Sequence, residues 1–340
     1  MLLDVVVSYG LNPQWEASTG GGEYSSACPS CGGNDRFRLQ PNKPQRNCTG
    51  SFWCRQCQVS GDTLAFCMKF LGDTFPQACQ RLGNETGIPI PTIRSLIRNI
   101  PECFVPLPLI HPPDVWITKA TAFVEWAHKN LLGDPYAISY LESRGISFAT
   151  AQQHRIGFNP SAFFRPKEAW GIEEEGHLWF PSGIVLPSYD HDDTVIRLKI
   201  RRDDYRPDDT VPKYVAISGS SSGYNLVGNY LKRTVIAVES ELDAYTLHTI
   251  FHDRALIVAT GSCTKNPDAV AHDIIGFVKN ILVSYDNDEG GEKMWKKWSS
   301  LYKNAYKSPV TIGKDSGEAY MHGYDFEAWY EKSLLEKKKI

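Results

Sequence analysis

Apolar residues in this chain recur at helical intervals in some stretches and at alternate positions in others, and the change between the two outlines the fold. In "DTLAFCMKFLG" (62–72), Leu64, Ala65, Met68 and Leu71 fall on one face of a helix. In "TAFVEWAHKNLL", Phe123, Trp126, Ala127 and Leu131 do the same, and "AISYLESRGIS" reads as a short helix stopped by Gly145. Residues 177 to 230 switch to strand patterns: "GIVLPSY", "TVIRLKIRR" and "PKYVAIS". Residues 233 to 313 then alternate strand and helix: "TVIAV", "ELDAYTLHTIF", "ALIVA", "DAVAHDIIGFV", "NILVSY", "GEKMWKKWSSLY", "VTI". That alternation predicts a parallel sheet with crossover helices. The final "FEAWYEKSLLEKKKI" predicts an amphipathic helix with a basic end.

Between the first helix and the second lies "GIPIPTIRSLIRNIPECFVPLPLIHPPD", dense in proline and read as an extended linker. The pattern therefore divides the chain into residues 1–95, a linker over 96–113, residues 114–230, residues 231–316 and a tail over 317–340. The expected fold class is α/β and multi-domain. At 340 residues the chain is long enough for two or three domains. Its 42% hydrophobic and 22% charged residues are ordinary for globular protein. No stretch reaches the apolar length of a membrane span, and "MLLDVVVSYGLN" does not read as a secretion signal, so a cytoplasmic location and no membrane partner are expected.

Cysteine usage adds the first chemistry. Of nine cysteines, Cys28, Cys31, Cys54 and Cys57 form two CxxC pairs. Each CxxC turn aims two sulfurs at one point, and two such turns complete a tetrahedral four-thiolate site, which predicts one structural zinc with no open coordination position. Cys48 reads as an ordinary loop thiol. Arg36, Arg38 and Trp53, with Phe37, Phe52 and Arg55, surround the pairs. Cations interleaved with aromatics suit single-stranded nucleic acid; the same aromatics also suit the cover of a small metal-stapled core.

Charge adds the second. "ILVSYDNDEGG" ends an apolar run on Asp286, with Asp288 two residues on. Two like charges ~4 Å apart at an effective dielectric of ~20 cost roughly 4 kcal/mol, and a divalent cation is the usual compensation. Glu239 closes "TVIAVE", Asp243 follows on the next helix, and Asp315 sits beyond "VTI". Ligands of parallel α/β sheets collect beyond the carboxyl ends of strands, so these acids predict a Mg²⁺ or Mn²⁺ site of two or more ions. Each acid alone also suits a helix cap. In "TVIRLKIRR", Arg197, Lys199 and Arg201 alternate with Ile196, Leu198 and Ile200, which predicts three cations on one open face. That face is either a phosphate contact or a solvated surface balanced by Asp203, Asp204, Asp208 and Asp209. The net charge of −3 argues mildly against nucleic acid, averaged over the whole chain.

Cysteine pairs, basic strands and an acidic α/β module, in that order, resemble the DnaG-type primases of bacteria and phages over nearly the whole chain. "CPSCGGNDRFRL…FWCRQC" is similar to the zinc-binding domain of the phage and mobile-element branch. "YLESRGISFATAQQHRIGFNP" resembles the family's short helical segment ending in Ile-Gly-Phe. "LWFPSGIVLP…VIRLKI…PKYVAISGS…YNLVG" resembles the N-terminal subdomain of the polymerase core, with its Lys-Tyr pair at Lys213 and Tyr214. "VIAVESELDAYTL", "LIVATGS", "ILVSYDNDEGG" and "GKDSGE" resemble successive Toprim motifs.

The resemblance implies a zinc ribbon, a mixed α+β core subdomain and a Toprim α/β domain with a parallel sheet. It gives Glu239 the Toprim glutamate's role as general base or metal ligand, Asp286 and Asp288 the metal-binding DxD role, and Asp315 that of a further acid. Lys213, Tyr214 and the strand cations would contact template or nucleotide phosphates. The implied function is primer RNA synthesis from nucleoside triphosphates on a single-stranded DNA template, with a replicative helicase as partner in trans. Two positions depart from the pattern: Ser240 and Asn287 stand where the family usually has glycine. No GxxxxGK[ST] motif is present and only a short tail follows residue 316, so neither a fused helicase nor a helicase-interaction domain is expected. The rivals are a Toprim nuclease using the same acids and a non-catalytic single-strand-binding accessory protein. A topoisomerase would need a nucleophilic tyrosine in a second domain.

Overall fold

The computed structural model describes residues 1–45, 48–85 and 104–336. The expected linker lies outside the described residues up to 103, as do residues 86–95 and the basic end at 337–340. The chain divides into two compact units, Met1–Arg98 with Gly228–Arg233, and Asn99–Val227 with Thr234–Ile340.

In the first unit, helix α1 (Leu2–Ser8) precedes a five-stranded antiparallel meander, β1 (Gln14–Ala17), β2 (Glu23–Cys28), β3 (Gly32–Pro44), β4 (Thr49–Cys54) and β5 (Ser60–Asp62), followed by α2 (Thr63–Phe70) and α3 (Phe75–Glu85). The Asp62 carboxylate accepts from the amide of Ala65 and so starts α2. Phe37, Phe52, Phe66 and Phe70 pack ring on ring, with centroids 4.9–6.2 Å apart. Leu2, Val5 and Val6 of α1 are fully buried beside Leu39 and Leu64. For Phe37 and Phe52, covering a small core is therefore the reading that holds.

The second unit opens with α4 (Asp114–Leu132), α5 (Pro135–Ser143) and α6 (Phe148–Gln153). Asp134 and Ser147 cap the latter two, and Gly145 takes φ +81° between them. A four-stranded antiparallel sheet follows in the order β11 (Tyr214–Ala216), β10 (Val195–Arg202), β9 (Gly183–Tyr189), β6 (Gly157–Asn159); β7 (Phe163–Pro166) and β8 (His177–Phe180) form a separate hairpin. Trp116 is fully buried against Trp170 and donates to the carbonyl of Ser218 at 2.9 Å. Trp126, expected on the buried face of α4, is instead 43% exposed. The buried stripe runs through Trp116, Ala120, Phe123, Val124, Ala127 and Leu131, and Trp126 lies at its edge.

A second five-stranded sheet has the order β12 (Asn225–Val227), β14 (Leu256–Ala259), β13 (Thr234–Val238), β15 (Asn280–Val283), β16 (Ala305–Lys307). It is parallel except for the edge strand β12. Helices α7 (Glu241–Phe251), α8 (Ala269–Gly276) and α9 (Glu289–Leu301) make the crossovers, and α10 (Ser316–Met321) and α11 (Phe326–Glu336) complete the chain. The expected strand "VTI" is not one: the last strand is Ala305–Lys307, and Val310 lies in the following loop as a buried plug. Within the tail region, Phe326, Trp329 and Tyr330 pack into the core with Phe251 and Leu282. No described helix is long and apolar enough to cross a membrane.

His248 on α7 is buried, its ring 4.7 Å from that of His154, and among the described residues neither of its nitrogens finds a hydrogen-bond partner. Burial, reinforced by His252, drives its pKa from 6.5 down to about 4. The unfolded chain therefore takes up a proton that the folded chain refuses as pH falls through this window, which removes up to about 3 kcal/mol of stability. His248→Leu is expected to flatten the decline of the urea midpoint between pH 6.5 and 4; an unchanged profile would show that His248 is not its source.

Candidate active site and four-thiol centre

Antiparallel pairing of β2, β3 and β4 brings the two CxxC turns together, and the sulfurs of Cys28, Cys31, Cys54 and Cys57 all lie within 4.8 Å of one another. Amides of Ser30 and Gln56 donate to Cys28 and Cys54 sulfurs at 3.4 Å. The thiols cannot all ionise unaided. Burial works against Cys54, yet the amides of Cys57 and Gln56 and the neighbouring thiols draw it down to about 6, whereas burial and those same neighbours push Cys31 up to about 12. A dication removes this conflict, so donor type, number and spacing fit zinc.

Around this centre the expected nucleic-acid contacts are unequal. Arg36 reaches the Cys31 sulfur and folds over Gly33. Arg38 is largely engaged, 3.4 Å from Glu16 and 3.5 Å from Glu23. Trp53 is half-buried, with the Lys43 ammonium 6.0 Å from its ring centre.

In the second unit, the carboxyl edge of the parallel sheet borders a cavity of about 250 Å³. Its acids are Glu239, Glu241, Asp243, Asp286 and Asp315; its cations are Arg144, Lys199, Arg201, Lys213 and Lys314. Glu239 follows β13 directly. β15 ends at Val283, three residues before Asp286, and Asp315 caps α10 rather than ending a strand. Asp288 stands just outside the cavity lining, where it caps α9 through the amide of Gly291 at 2.9 Å.

Crowding shows in the acidities. Burial first, then Asp243, Glu239 and Asp315, raises Asp286 to about 7 against the pull of Lys314. Burial and Asp315 raise Asp243 to about 6, although the Ser240 hydroxyl, Arg144 and the Gly317 amide favour its anion. Burial and Asp288 also raise Glu239. Asp288 moves the other way: the Gly291 amide and Lys314 hold it low.

Two cations hold the cluster together. Arg144 Nη2 is 3.6 Å from Asp243 and 3.4 Å from Asp315; Lys314 Nζ is 3.6 Å from Asp286 and 3.1 Å from Asp288. Among the described residues, no three of these carboxylates gather within 4.8 Å as the thiols do. The set nevertheless fits a divalent cation: hard oxygen donors converge on one cavity, and their repulsion already favours protonation in its absence. Arg144, Lys314 and Glu241 escaped the sequence reading. The signal for Lys314 was its place beside Asp315 in "GKDSGE"; for Glu241 it was a second acid in "ESELD".

The opposite wall corrects the expectation of an open basic face. β10 lies between β9 and β11 and most of it is buried. Arg197 is 5% exposed, bonded to Ser188 Oγ and the Gly223 carbonyl, and does not line the cavity. Lys199 does line it but is bound by both oxygens of buried Glu241, at 2.7 and 2.8 Å. Lys199 and Arg197 keep Glu241 ionised despite its burial. The Arg201 guanidinium lies 4.6 Å from the Tyr140 ring centre, and Tyr214 is half-buried beneath Lys199. Lys213 remains exposed at the rim, its pKa lowered by partial desolvation and by Arg201 and Arg144.

Both departures from the usual glycines have local reasons. Ser240 caps α7 and donates to Asp243 Oδ2 at 2.5 Å. The Asn287 side chain donates to the carbonyls of Val310 and Gly313 at 3.0 and 2.9 Å, while its backbone amide donates to the Lys314 carbonyl. Glycine is required at 291, where a Cβ would lie 1.9 Å from the Asp286 carbonyl oxygen; a Cβ on Gly317 would displace the Arg144 guanidinium, 2.0 Å away.

Comparison with known proteins agrees with this geometry. Residues 23–64 match the zinc-binding domain of primase-helicase, and residues 236–318 match a Toprim-like domain. The DNA primase of Helicobacter pylori is 24% identical over 78% of this chain and 47% of its own length. That of Neisseria meningitidis is 24% identical over 97% of this chain and 58% of its own length. The chain thus spans about half the length of the curated relatives it matches. In fold it is similar to the zinc-binding and RNA polymerase domains of Aquifex aeolicus primase, with 20% identity and TM-score 0.50 over 99% of this chain and 88% of that one. It is also similar to the RNA polymerase domain of Mycobacterium tuberculosis primase DnaG, with 18% identity and TM-score 0.51 over 64% of this chain and 82% of that one. With a match to a primase-type zinc-binding domain followed by a match to a Toprim-like domain, the chain is similar to the DnaG-type primases.

Proposed function

We propose that this chain is a DNA primase, an enzyme that joins ribonucleoside triphosphates into short primers on single-stranded DNA. The observation that carries the reading is a single cavity with carboxylates on one wall and Lys199, Arg201 and Lys213 on the other. Such a cavity accepts the phosphates of a nucleotide between a cation site and fixed positive charge.

Glu239, Asp286 and Asp288 are the proposed holders of Mg²⁺ or Mn²⁺, with Asp243 and Asp315 behind them. The bound ions would supply neutralisation of phosphate charge and a lowered pKa for the attacking 3′-hydroxyl. Lys213 and Arg201 grip the triphosphate, and Glu241 fixes Lys199 at the cavity wall so that its ammonium holds one position. Glu239, raised by burial and by Asp288, is placed to receive the hydroxyl proton. Arg144 stands between Asp243 and Asp315 and opposes the protonation of Asp243. Arg36, Arg38 and Trp53 are proposed template contacts of the zinc ribbon, of which Trp53 offers a stacking face. Arg197 is withdrawn from that set. A replicative helicase is the proposed partner in trans.

Incubation with single-stranded template, nucleoside triphosphates and Mg²⁺ or Mn²⁺ should yield short labelled RNA; shortening of the DNA without such product would instead identify a nuclease. Asp286→Asn is expected to lower incorporation by on the order of 10²-fold or more, several kcal/mol of transition-state stabilisation. Activity within a factor of two of the unsubstituted protein would leave only a template-binding accessory role.

Arg144→Met removes the charge that opposes protonation of Asp243. Asp243 then rises further, so the loss of incorporation should be greater at pH 6.5 than at pH 8.5. Equal losses at both values would assign Arg144 a purely structural part.

For the four-thiol centre, metal analysis should find one zinc per chain. Cys54→Ser should release it and open residues 1–85 to protease while the Toprim domain stays resistant. Retention of zinc by that variant would refute the four-ligand assignment.

A further inference from the structure

A second cavity, of about 340 Å³, lies in the same unit and shares no lining residue with the candidate active site. Phe104, Leu107 and Leu109 form one side; Ser222, Lys265 and Asp268 belong to the other. The apolar side is fixed in place: the amide of Ala269 donates to the Leu107 carbonyl at 2.8 Å, and Phe104 packs edge-on against His272.

Lys265 and Asp268 are the charged residues that line this cavity, and they do not pair with each other. Lys265 Nζ donates to the Gly223 carbonyl at 2.8 Å, and Arg197 donates to the same oxygen at 2.7 Å. Among the described residues, neither cation has a carboxylate within 4.0 Å. The nearby acids are engaged elsewhere. Glu241 is bound by Lys199, and Asp268 accepts from the amides of Tyr224 and Ala271 at 2.9 and 3.0 Å. The backbone of Lys265 is tethered by the Tyr224 hydroxyl, which donates to its carbonyl at 2.7 Å, and its ammonium stands 5.9 Å from that ring's centre. An ammonium has three donors, and one carbonyl leaves the others to the cavity.

We propose that this cavity is a second ligand site, for a mononucleotide-sized anion whose phosphate pairs with Lys265 and whose flat body packs against Phe104 and Leu107. Its volume sits at the lower end of small-molecule sites, about 300–1,000 Å³, and suits a single nucleotide rather than a polymer. Burial, with Arg197 and Lys199 adding repulsion, lowers Lys265 to about 7, against the weaker pull of Glu241 and Asp268. An anion in the cavity therefore gains an ion pair while relieving that repulsion. The assignment does not depend on the primase reading.

Competitive acetylation of the full-length chain, read by mass spectrometry across pH, reports the reactivity of Lys265 directly. Adenosine monophosphate at millimolar concentration is expected to slow its labelling severalfold and to raise its apparent pKa by about one unit; adenosine should do neither. The same protection is expected in Asp286→Asn, which separates this cavity from the candidate active site. Lys265→Met should lower affinity for adenosine monophosphate about tenfold or more by calorimetry, with the melting temperature little changed. Unchanged labelling with the nucleotide, equal protection by adenosine, or full affinity in Lys265→Met would each overturn the proposal.

Discussion

Mutual repulsion among carboxylates at one edge of a parallel sheet is the constraint around which the second unit is built. Glu239, Asp243, Asp286 and Asp315 share a partly desolvated cavity, and the first three are pushed towards neutrality as a result. Much of the surrounding detail opposes that push. Arg144 and Lys314 stand between pairs of acids, the Ser240 hydroxyl and Gly317 amide point at Asp243, and Asp288 is tied to the start of α9. Gly291 admits the Asp286 carbonyl at a distance no side chain would tolerate, and Gly317 leaves the Arg144 guanidinium the place it occupies. The apolar core beneath, from Ile236 and Val238 to Trp329, holds these positions against the repulsion.

The two metal-type sites solve the same problem by different means. At the four-thiol centre the hairpins bring the donors to final spacing, and only charge is missing. At the sheet edge the donors stand wider and carry internal counter-cations. A substrate-dependent cation site needs that latitude, since hard ions share their coordination with phosphate and water. Rigid closure suits a structural zinc, and exchangeable pairing suits the cation site proposed at the sheet edge.

Much of this was legible in the sequence. Alternating strand and helix patterns after residue 233 gave the parallel sheet, and the CxxC spacing gave the thiol cluster. Strand ends adjoining Glu239 and Asp286 gave the acidic edge. The basic strand was misread for a definite reason. Period-two alternation says which residues share a face, not whether the face is covered. Here α7 brings Glu241 onto Lys199, and the Gly223 segment caps Arg197, contacts made across long sequence separations. Arg144 was invisible for the same cause: its partners lie about a hundred or more residues away. "VTI" was misassigned because a loop plug such as Val310 is as apolar as a strand residue.

Asn287 joins the two loops that carry Asp286, Asp288 and Lys314. Through its side chain and backbone it makes three hydrogen bonds to the 310–314 segment. With glycine in its place only the backbone contact would remain, and each loop could adjust alone. The asparagine makes them one mechanical element: whatever draws Lys314 away from its two acids also shifts the peptide from which those acids hang. Release of the counter-cation and realignment of the carboxylates thereby become a single motion.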